Sequence, residues 1–287
     1  MADSNASTTD AMMRNQHFLL RRLHSLSGIV PVGVFVIFHL FTNMQMAFGT
    51  FQHEVDFIHN MPALLFLEIF GLWLPIAFHA GLGVVYTFSG KPNSMAYQYS
   101  DNWRYTLQRV TGILALIFIF LHIATLRWRW DILGWYTPFY AEGVTDGGEV
   151  VGLAQASTSL ALQASVLVAL LYFVGVLSVI YHWSNGLWTA AISWGLTIQP
   201  KAQKRWGYVC AGLFVALFAF SALAFQGALA YEPTEKERNA MAFTQQHYKQ
   251  LKPLMHEADR GEVIDISHLL EGQRQHSAAD PSEAETG

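Results

Sequence analysis

The sequence predicts an all-α integral membrane protein, a bundle of five transmembrane helices. Of its 287 residues, 52% are apolar and only 13% are charged, whereas a soluble domain holds about 25% charged residues. The apolar residues concentrate in five segments, each long enough to cross a hydrocarbon core, which takes about 20 residues. No segment alternates with the period of two that a membrane β-barrel requires, so we expect helices.

The five segments define the predicted domain organisation. They run over Leu26–Phe48, Met61–Phe88, Leu107–Leu126, Leu160–Trp183 and Gly207–Tyr231. We expect an N-terminal arm at residues 1–25, a membrane domain at 26–231 and a polar tail at 232–287. The arm has no apolar core and does not resemble a cleaved signal peptide. The tail is expected to be solvated and partly disordered, with Ala240–Met255 able to form an amphipathic helix.

Basic residues in the connections predict the orientation, because Lys and Arg are enriched on the cytoplasmic side of membrane proteins. Nine lie in the arm and in the second and fourth connections: Arg14, Arg21, Arg22, Lys91, Arg104, Arg109, Lys201, Lys204 and Arg205. The other two connections hold only Arg127 and Arg129. We therefore expect the N-terminus in the cytoplasm, on the side called inner below, and the C-terminus outside.

Composition excludes several other classes of protein. The chain has 17 Lys and Arg against 21 Asp and Glu, so it lacks the basic balance of a nucleic-acid binder. Its single cysteine, Cys210, excludes a disulfide framework, a Cys-rich zinc or iron–sulfur site and covalent haem attachment.

Four of the five spans contain one histidine each: His39, His79, His122 and His182. An ionisable side chain inside a membrane is costly and is therefore a candidate for function. The first and third spans run outward, the second and fourth run inward, and each histidine comes late in its span. His39 and His122 are thus expected in the outer half of the membrane, and His79 and His182 in the inner half.

Two neutral imidazoles at one depth on facing helices are what bis-histidine haem ligation needs. We therefore predict two haem sites, one for each pair. Gly83 and Gly186 follow the two inner histidines by four residues, and positions four apart share a helix face. These glycines could clear space for a flat macrocycle, although they would serve close helix packing equally well.

The spacing of the histidines matches the motifs of other histidine-based metal sites poorly. The sequence contains neither the clustered His-x-x-x-His patterns of diiron enzymes nor the His-Glu-x-x-His motif of zinc proteases. His24 lies beside Arg21 and Arg22 at the cytoplasmic interface. There we expect it to meet headgroups, haem propionates or a partner protein rather than iron, so His24 and Arg22 are candidate cofactor-binding residues.

Glu68 is the only carboxylate inside a predicted span. It precedes His79 by eleven residues, which in an α-helix is about 1100° of rotation and about 16 Å of rise. That places it on the face of His79, at the depth of the outer pair. Glu68 is either a structural carboxyl near the interface or a proton-transfer group near an outer haem or quinone.

Motifs in four spans carry a resemblance to a known family. They are Arg21-Arg22-Leu23-His24-Ser25-Leu26, Val30-Pro31-Val32-Gly33, Leu67-Glu68-Ile69-Phe70, Leu107-Gln108-Arg109-Val110-Thr111-Gly112-Ile113 and Ser184-Asn185-Gly186-Leu187-Trp188. In this order, over residues 16–230, the chain resembles the diheme cytochrome b membrane anchors of bacterial succinate dehydrogenases.

The resemblance implies a five-span anchor of succinate:quinone oxidoreductase in the bacterial cytoplasmic membrane. It implies an inner b haem on His79 and His182, and an outer b haem on His39 and His122. It further implies a flavoprotein and an iron–sulfur subunit on the cytoplasmic face, which hold FAD and the iron–sulfur clusters. Electrons from succinate would reach a quinone, often menaquinone, near the outer haem. The succinate chemistry itself would lie on those partner subunits.

The chain departs from this family pattern in two places. Its tail has no counterpart in the family, and Ile180 stands where some diheme fumarate reductase anchors have a proton-transferring glutamate. The second departure favours succinate oxidation. Two alternatives remain at this point, an anchor of another quinone-linked enzyme such as a hydrogenase or formate dehydrogenase, and a haem-free proton-coupled transporter.

Overall fold

The structure confirms a five-helix membrane bundle. This computed structural model describes residues 2–90, 95–128, 130 and 139–270, with side chains from residue 16 onward. Five helical stretches in it are long and apolar enough to span a membrane, namely Gln16–Phe48, Leu64–Ser89, Ser100–Leu126, Val166–Ser193 and Pro200–Ala230. Lys91 and Arg129, which were counted for the orientation, lie outside the described residues.

The first span is a helix interrupted by a proline. Helix α1 (Ala2–Ile29) is followed by α2 (Pro31–Met44), because Pro31 has no backbone N–H and its ring crowds the preceding turn. A 3₁₀ helix at Gln45–Phe48 continues the span. It ends at Gly49, whose φ of 72° lies in the left-handed region that favours glycine. Helix α3 (Phe51–His59) then runs along the outer side.

The second span contains a π-helical segment. A short α4 (Leu64–Phe66) leads into a π-helix at Leu67–Trp73 and then into α5 (Leu74–Ser89). Pro75 cannot donate a hydrogen bond one turn back, which suits the wider π pattern there. A π-helix turns less per residue than an α-helix. The α-helical rotation that placed Glu68 on the face of His79 is therefore wrong.

The remaining spans are α6 (Ser100–Leu126), α8 (Val166–Ser193) and α9 (Pro200–Ala230). The predicted fourth span began too early, because its first residues belong to the separate helix α7 (Ala154–Gln163). Ser165 caps α8 by accepting a hydrogen bond from the Leu167 N–H at 3.2 Å. The helix therefore starts at Val166 and runs ten residues beyond the predicted end at Trp183.

Small residues let the helices approach closely. Helix α6 packs against α8, and α9 packs against both α8 and α2. A Cβ atom at Gly175 of α8 would overlap the Phe118 side chain of α6. A Cβ atom at Gly227 of α9 would overlap the backbone at Met46. Such close approaches are typical of helix interfaces in membranes, where packing replaces the hydrophobic effect.

The tail folds into a small outer domain with the third connection. Strands β1 (Glu142–Val144) and β2 (Val150–Gly152) form an antiparallel pair, against which α10 (Glu235–Glu257) packs. We call residues 139–163 and 231–270 the cap. Its larger core consists of Val144, Val150, Phe243, Leu251, Met255, Ile266 and Leu269.

The expectation of a partly disordered tail is therefore wrong for residues 232–270. The expected helix at Ala240–Met255 is confirmed and is longer at both ends. A capping box begins it, since the Thr234 hydroxyl accepts from the Glu237 N–H while the Glu237 carboxylate accepts from the Thr234 N–H. Residues 271–287, including His276, lie outside the described residues.

Gln52 of α3 joins the cap to the bundle. Its Oε1 accepts a hydrogen bond from the Ala154 N–H at 2.8 Å, and its Nε2 donates to the Ala141 carbonyl and to Asp56 Oδ1, both at 2.9 Å. Arg260 of the cap adds ion pairs to Asp56 and to Glu142. The Gln52 hydrogen bonds and the Arg260–Asp56 ion pair therefore link α3 to the cap, while the Arg260–Glu142 pair lies within the cap.

We expect Gln52→Met to destabilise the cap by about 1–3 kcal/mol, since two backbone groups lose their partner. Hydrogen exchange of the backbone amides of α10 should become faster, while the transmembrane helices keep their protection. The exposed neighbour His53 provides the control variant His53→Ala, which should leave exchange unchanged. Equal exchange in the two variants would contradict the role given to Gln52.

Candidate metal centres

The structure brings the two predicted inner histidines together. His79 of α5 and His182 of α8 have ring centroids 6.0 Å apart, with their planes at 87°. A metal–imidazole nitrogen bond is about 2.0–2.1 Å, so two rings on opposite sides of one metal ion have centroids a little over about 6 Å apart. The pair therefore has the separation of two axial ligands.

Hydrogen bonds fix the tautomer of both inner rings. His79 Nδ1 lies 2.8 Å from the His24 carbonyl oxygen, and His182 Nδ1 lies 2.9 Å from the Gln108 carbonyl oxygen. A carbonyl only accepts, so each Nδ1 carries the proton and donates it. Each Nε2 then keeps a free lone pair, which is the state that metal ligation requires.

Glycines on the neighbouring helices make room for these rings. A Cβ atom at Gly28 of α1 would overlap His79 Cε1, and one at Gly112 of α6 would lie 2.8 Å from His182 Cε1. Gly83 and Gly186 lie against the neighbours of these rings instead, since Gly83 faces His24 Nε2 and Gly186 faces Gln108 Nε2. Their role as cofactor-binding residues stays a prediction. Sequence spacing reports neighbours within one helix, so it did not identify the two contacts that cross between helices.

His24 lies beside the inner pair, and Arg22 precedes it by two residues on α1. The His24 ring stacks on the His79 ring, with centroids 4.1 Å apart and planes within 12°. The Arg22 guanidinium lies over the rings of Phe18 and Trp194, at 4.2 and 5.1 Å. His24 Nε2 and Arg22 Nε are both buried without a hydrogen-bond partner among the described residues.

The predicted outer pair is also brought together. His39 of α2 and His122 of α6 have ring centroids 5.9 Å apart, with their planes at 81°. Phe35 stacks on His39 at 5.2 Å, and Tyr172 meets the edge of His122 at 5.9 Å. Within the described part of the chain, His122 Nδ1 has no hydrogen-bond partner. The backbone therefore holds the outer His122 ring less firmly than it holds the two inner rings.

The two pairs lie at different depths. Gly28, which contacts His79, precedes His39 by eleven residues, and Gly112, which contacts His182, precedes His122 by ten. At 1.5 Å per residue both intervals give a separation of about 15–16 Å along the helices. The bundle thus contains two separate imidazole pairs, and no group of three or more potential metal ligands occurs in its described residues.

Comparison with known proteins identifies the family. The chain is 40% identical over 208 residues to the succinate dehydrogenase cytochrome b558 subunit of Bacillus subtilis (strain 168), a match that covers 94% of that relative. This chain belongs to the succinate dehydrogenase cytochrome b558 subunits. The match covers 72% of this chain, and no protein-family model matches the sequence.

Family membership makes this chain a multi-pass membrane-anchor subunit of succinate dehydrogenase, as the resemblance implied. It decides against the two alternatives, an anchor of another enzyme and a haem-free transporter. The roles of individual residues are a separate question, and the four histidines stay predicted ligands.

Gln108 of α6 connects the inner site to helix α8. Besides its carbonyl bond to His182, its side-chain Nε2 donates to the His182 carbonyl at 2.9 Å. Its Oε1 accepts from Asn185 Nδ2 at 2.7 Å. Helices α6 and α8 are thereby held in register at the inner histidine.

We expect Gln108→Leu to loosen the His182 ring, because the side-chain bonds that align α6 with α8 are lost. The measurement is electron paramagnetic resonance of the oxidised protein, in which one of two low-spin ferric signals should shift while the other stays. Loss of ligand-supporting partners typically weakens metal binding about 10–100-fold, so haem should also dissociate faster. Thr111→Val is the control, since the Thr111 hydroxyl bonds only within α6, and an equal shift there would contradict this role.

Glu68 lies in an ion pair at the outer edge of the bundle. Its Oε2 is 3.1 Å from Arg127 Nη2, and the two side chains are 23% and 60% exposed. His59 lies near this pair, and its pKa is lowered by burial and by the Arg127 charge. Arg127 follows the predicted ligand His122 by five residues, so this polar group lies about 7–8 Å further out along α6.

Proposed function

We propose that this chain carries electrons from the iron–sulfur subunit of succinate dehydrogenase to a membrane quinone, and that it binds two b haems. His79 and His182 would hold the inner haem, and His39 and His122 the outer haem. The observation that carries the proposal is the pair of ring separations, 6.0 and 5.9 Å, at two depths of one bundle.

Unpaired polar atoms around the inner histidines fit a haem. Among the described residues, the buried side-chain atoms without a hydrogen-bond partner include four N–H or O–H groups on the helices that form this site: Arg22 Nε, Tyr86 Oη, Arg109 Nη1 and Trp183 Nε1. Buried donors without acceptors are costly. A b haem carries carboxylate groups, which would supply acceptors for such donors.

A bound haem supplies reversible one-electron oxidation and reduction at its iron. The chain's own part is to provide neutral imidazoles and, at the inner site, to hold their Nδ1 protons on backbone carbonyls. With one site at each depth, electrons that enter at the inner side could reach a quinone, often menaquinone in this family, at the outer side.

The basic inner surface supports the proposed partners and orientation. Arg21, Lys201 and Lys204 lie toward the inner ends of the helices. We propose that this surface, in the cytoplasm, docks the iron–sulfur subunit and the FAD-containing flavoprotein. The cap would then lie outside the bacterial cytoplasmic membrane, with residues 1–25 as a cytoplasmic arm and 26–231 as the lipid-embedded domain.

Glu68 is proposed as a proton-transfer group for the quinone reaction. Its support is its position at the outer edge, where both Arg127 and His59 lie near its carboxylate. Quinone reduction takes up protons, and a carboxylate whose ion-pair partner is exposed to solvent could deliver them.

The proposed function is tested by purifying the assembled complex through a tag on this chain. A flavoprotein and an iron–sulfur protein should co-purify, and succinate should reduce both the haems and an added quinone. A complex that reduces quinone with succinate but contains no haem would contradict the proposed haem sites. Reduction of the quinone by formate or hydrogen instead of succinate would contradict the proposed partners.

A further inference from the structure

Arg109 holds a cationic group between α5 and α6, further toward the inner side than His79 and His182. It precedes Gly112, the residue in contact with His182, by three positions on α6. Its Nη2 donates to the Tyr86 carbonyl at 3.1 Å, and its guanidinium lies 4.0 Å from the centre of the Tyr105 ring. A Cβ atom at Gly90 would overlap this guanidinium, so the glycine provides its space.

The described residues provide no carboxylate for this cation. The ion pairs in the described part of the chain are Glu68–Arg127, Glu149–Lys236, Asp56–Arg260 and Glu142–Arg260, all on the outer side. Arg109 Nη1 is buried and has no hydrogen-bond partner there. Arg109 is half-buried, but a buried cationic nitrogen without an acceptor is unfavourable, so Nη1 indicates a missing anionic partner.

A further unpaired donor belongs to Tyr86, whose carbonyl accepts the Arg109 hydrogen bond. The Tyr86 hydroxyl is buried without a partner among the described residues. The Tyr86 ring meets the edge of the His24 ring at 5.4 Å, and the His24 ring stacks on His79. Arg109, Tyr86 and His24 therefore form a continuous chain of contacts that ends at a predicted haem ligand.

We propose that Arg109, together with the Tyr86 hydroxyl, forms an oxyanion site for a carboxylate or phosphate group. A carboxylate of the inner haem would supply this chemistry, and in that form the inference rests on the proposed function. The phosphate of a membrane lipid would supply the same chemistry independently of haem. An arginine fork binds either group through two parallel hydrogen bonds.

The test compares the assembled wild-type complex with Arg109→Gln, which removes the charge, and with Arg109→Lys, which keeps it. Arg104→Gln is the matched control, because Arg104 lies on the same helix and stacks on the Trp188 ring at 4.3 Å. The measurements are the midpoint potential of each haem by redox titration and the lipid phosphorus retained after detergent washing.

A haem carboxylate predicts that Arg109→Gln lowers the potential of one haem, that Arg109→Lys restores most of it, and that phosphorus is unchanged. A lipid phosphate predicts loss of retained phosphorus with both potentials unchanged. The proposal is overturned if Arg109→Gln changes neither quantity, or if Arg104→Gln changes them equally. Absence of haem from the wild-type complex would instead overturn the proposed function, and would leave the phosphorus result to decide the oxyanion site.

Discussion

A His79→Ala subunit is expected to contain about one haem in place of two. Removing His79 would leave His182 as the only histidine to hold the proposed inner haem and would remove the ring that stacks on His24. The outer pair lies about 15 Å away along the helices and should keep its haem. Haem b per chain, measured with a redox titration, should show that one of two components has disappeared.

Phe78→Ala is the matched control for this experiment. Phe78 is the neighbour of His79 on α5 and is 39% exposed, so its loss should leave both haems in place. We also expect looser assembly with the soluble subunits in His79→Ala, because the inner site lies nearest to the surface proposed for docking. Retention of both haems in His79→Ala would exclude His79 as a ligand.

A Gly28→Val subunit is expected to lose most of its inner haem although every histidine remains. The introduced valine side chain would occupy the space of the His79 ring, since even a Cβ atom at this position overlaps His79 Cε1. Overpacking of this kind costs about 1–3 kcal/mol or more, and here it would displace His79 from His182. The measurement is again haem b per chain, with the outer component as internal reference.

Gly81→Ala separates this steric effect from a general effect of replacing a glycine. Gly81 lies two residues after His79 on α5, and apart from its chain neighbours and its own helix backbone no atom of the described residues lies within 4 Å of the position that its Cβ would take. This control should bind both haems normally. If the Gly28→Val subunit also bound both haems, that result would contradict the packing of α1 against the inner site.

The histidine pairs could be predicted from the sequence because the pairing depends on only two quantities. The direction of each span and the position of its histidine determine depth, and depth alone selects His79 with His182 and His39 with His122. Gly28, Gly112 and Gln108 were not predicted as parts of the inner site. Each of these residues contacts a residue of another helix. The spacing of residues within one helix does not show which residues of the neighbouring helices face it.

The cap was missed for a different reason. Its core combines residues from β1 and β2 with residues of α10 about 100 positions later, including Val144 and Phe243. Taken alone, the tail is polar and resembles a solvated segment. The prediction that Glu68 shares a helix face with His79 was wrong because it assumed a regular α-helix. A π-helix precedes Pro75 instead.

The central claim is that this anchor binds two haems on two histidine pairs, and the most direct test is haem b per chain in the purified complex. It should be measured together with a dithionite-reduced minus oxidised spectrum and a stepwise redox titration. The account predicts two haems per chain that titrate at separate potentials. A single haem would mean that one of the pairs is not a ligand pair, and a haem-free folded complex supplied with haem would contradict the claim entirely.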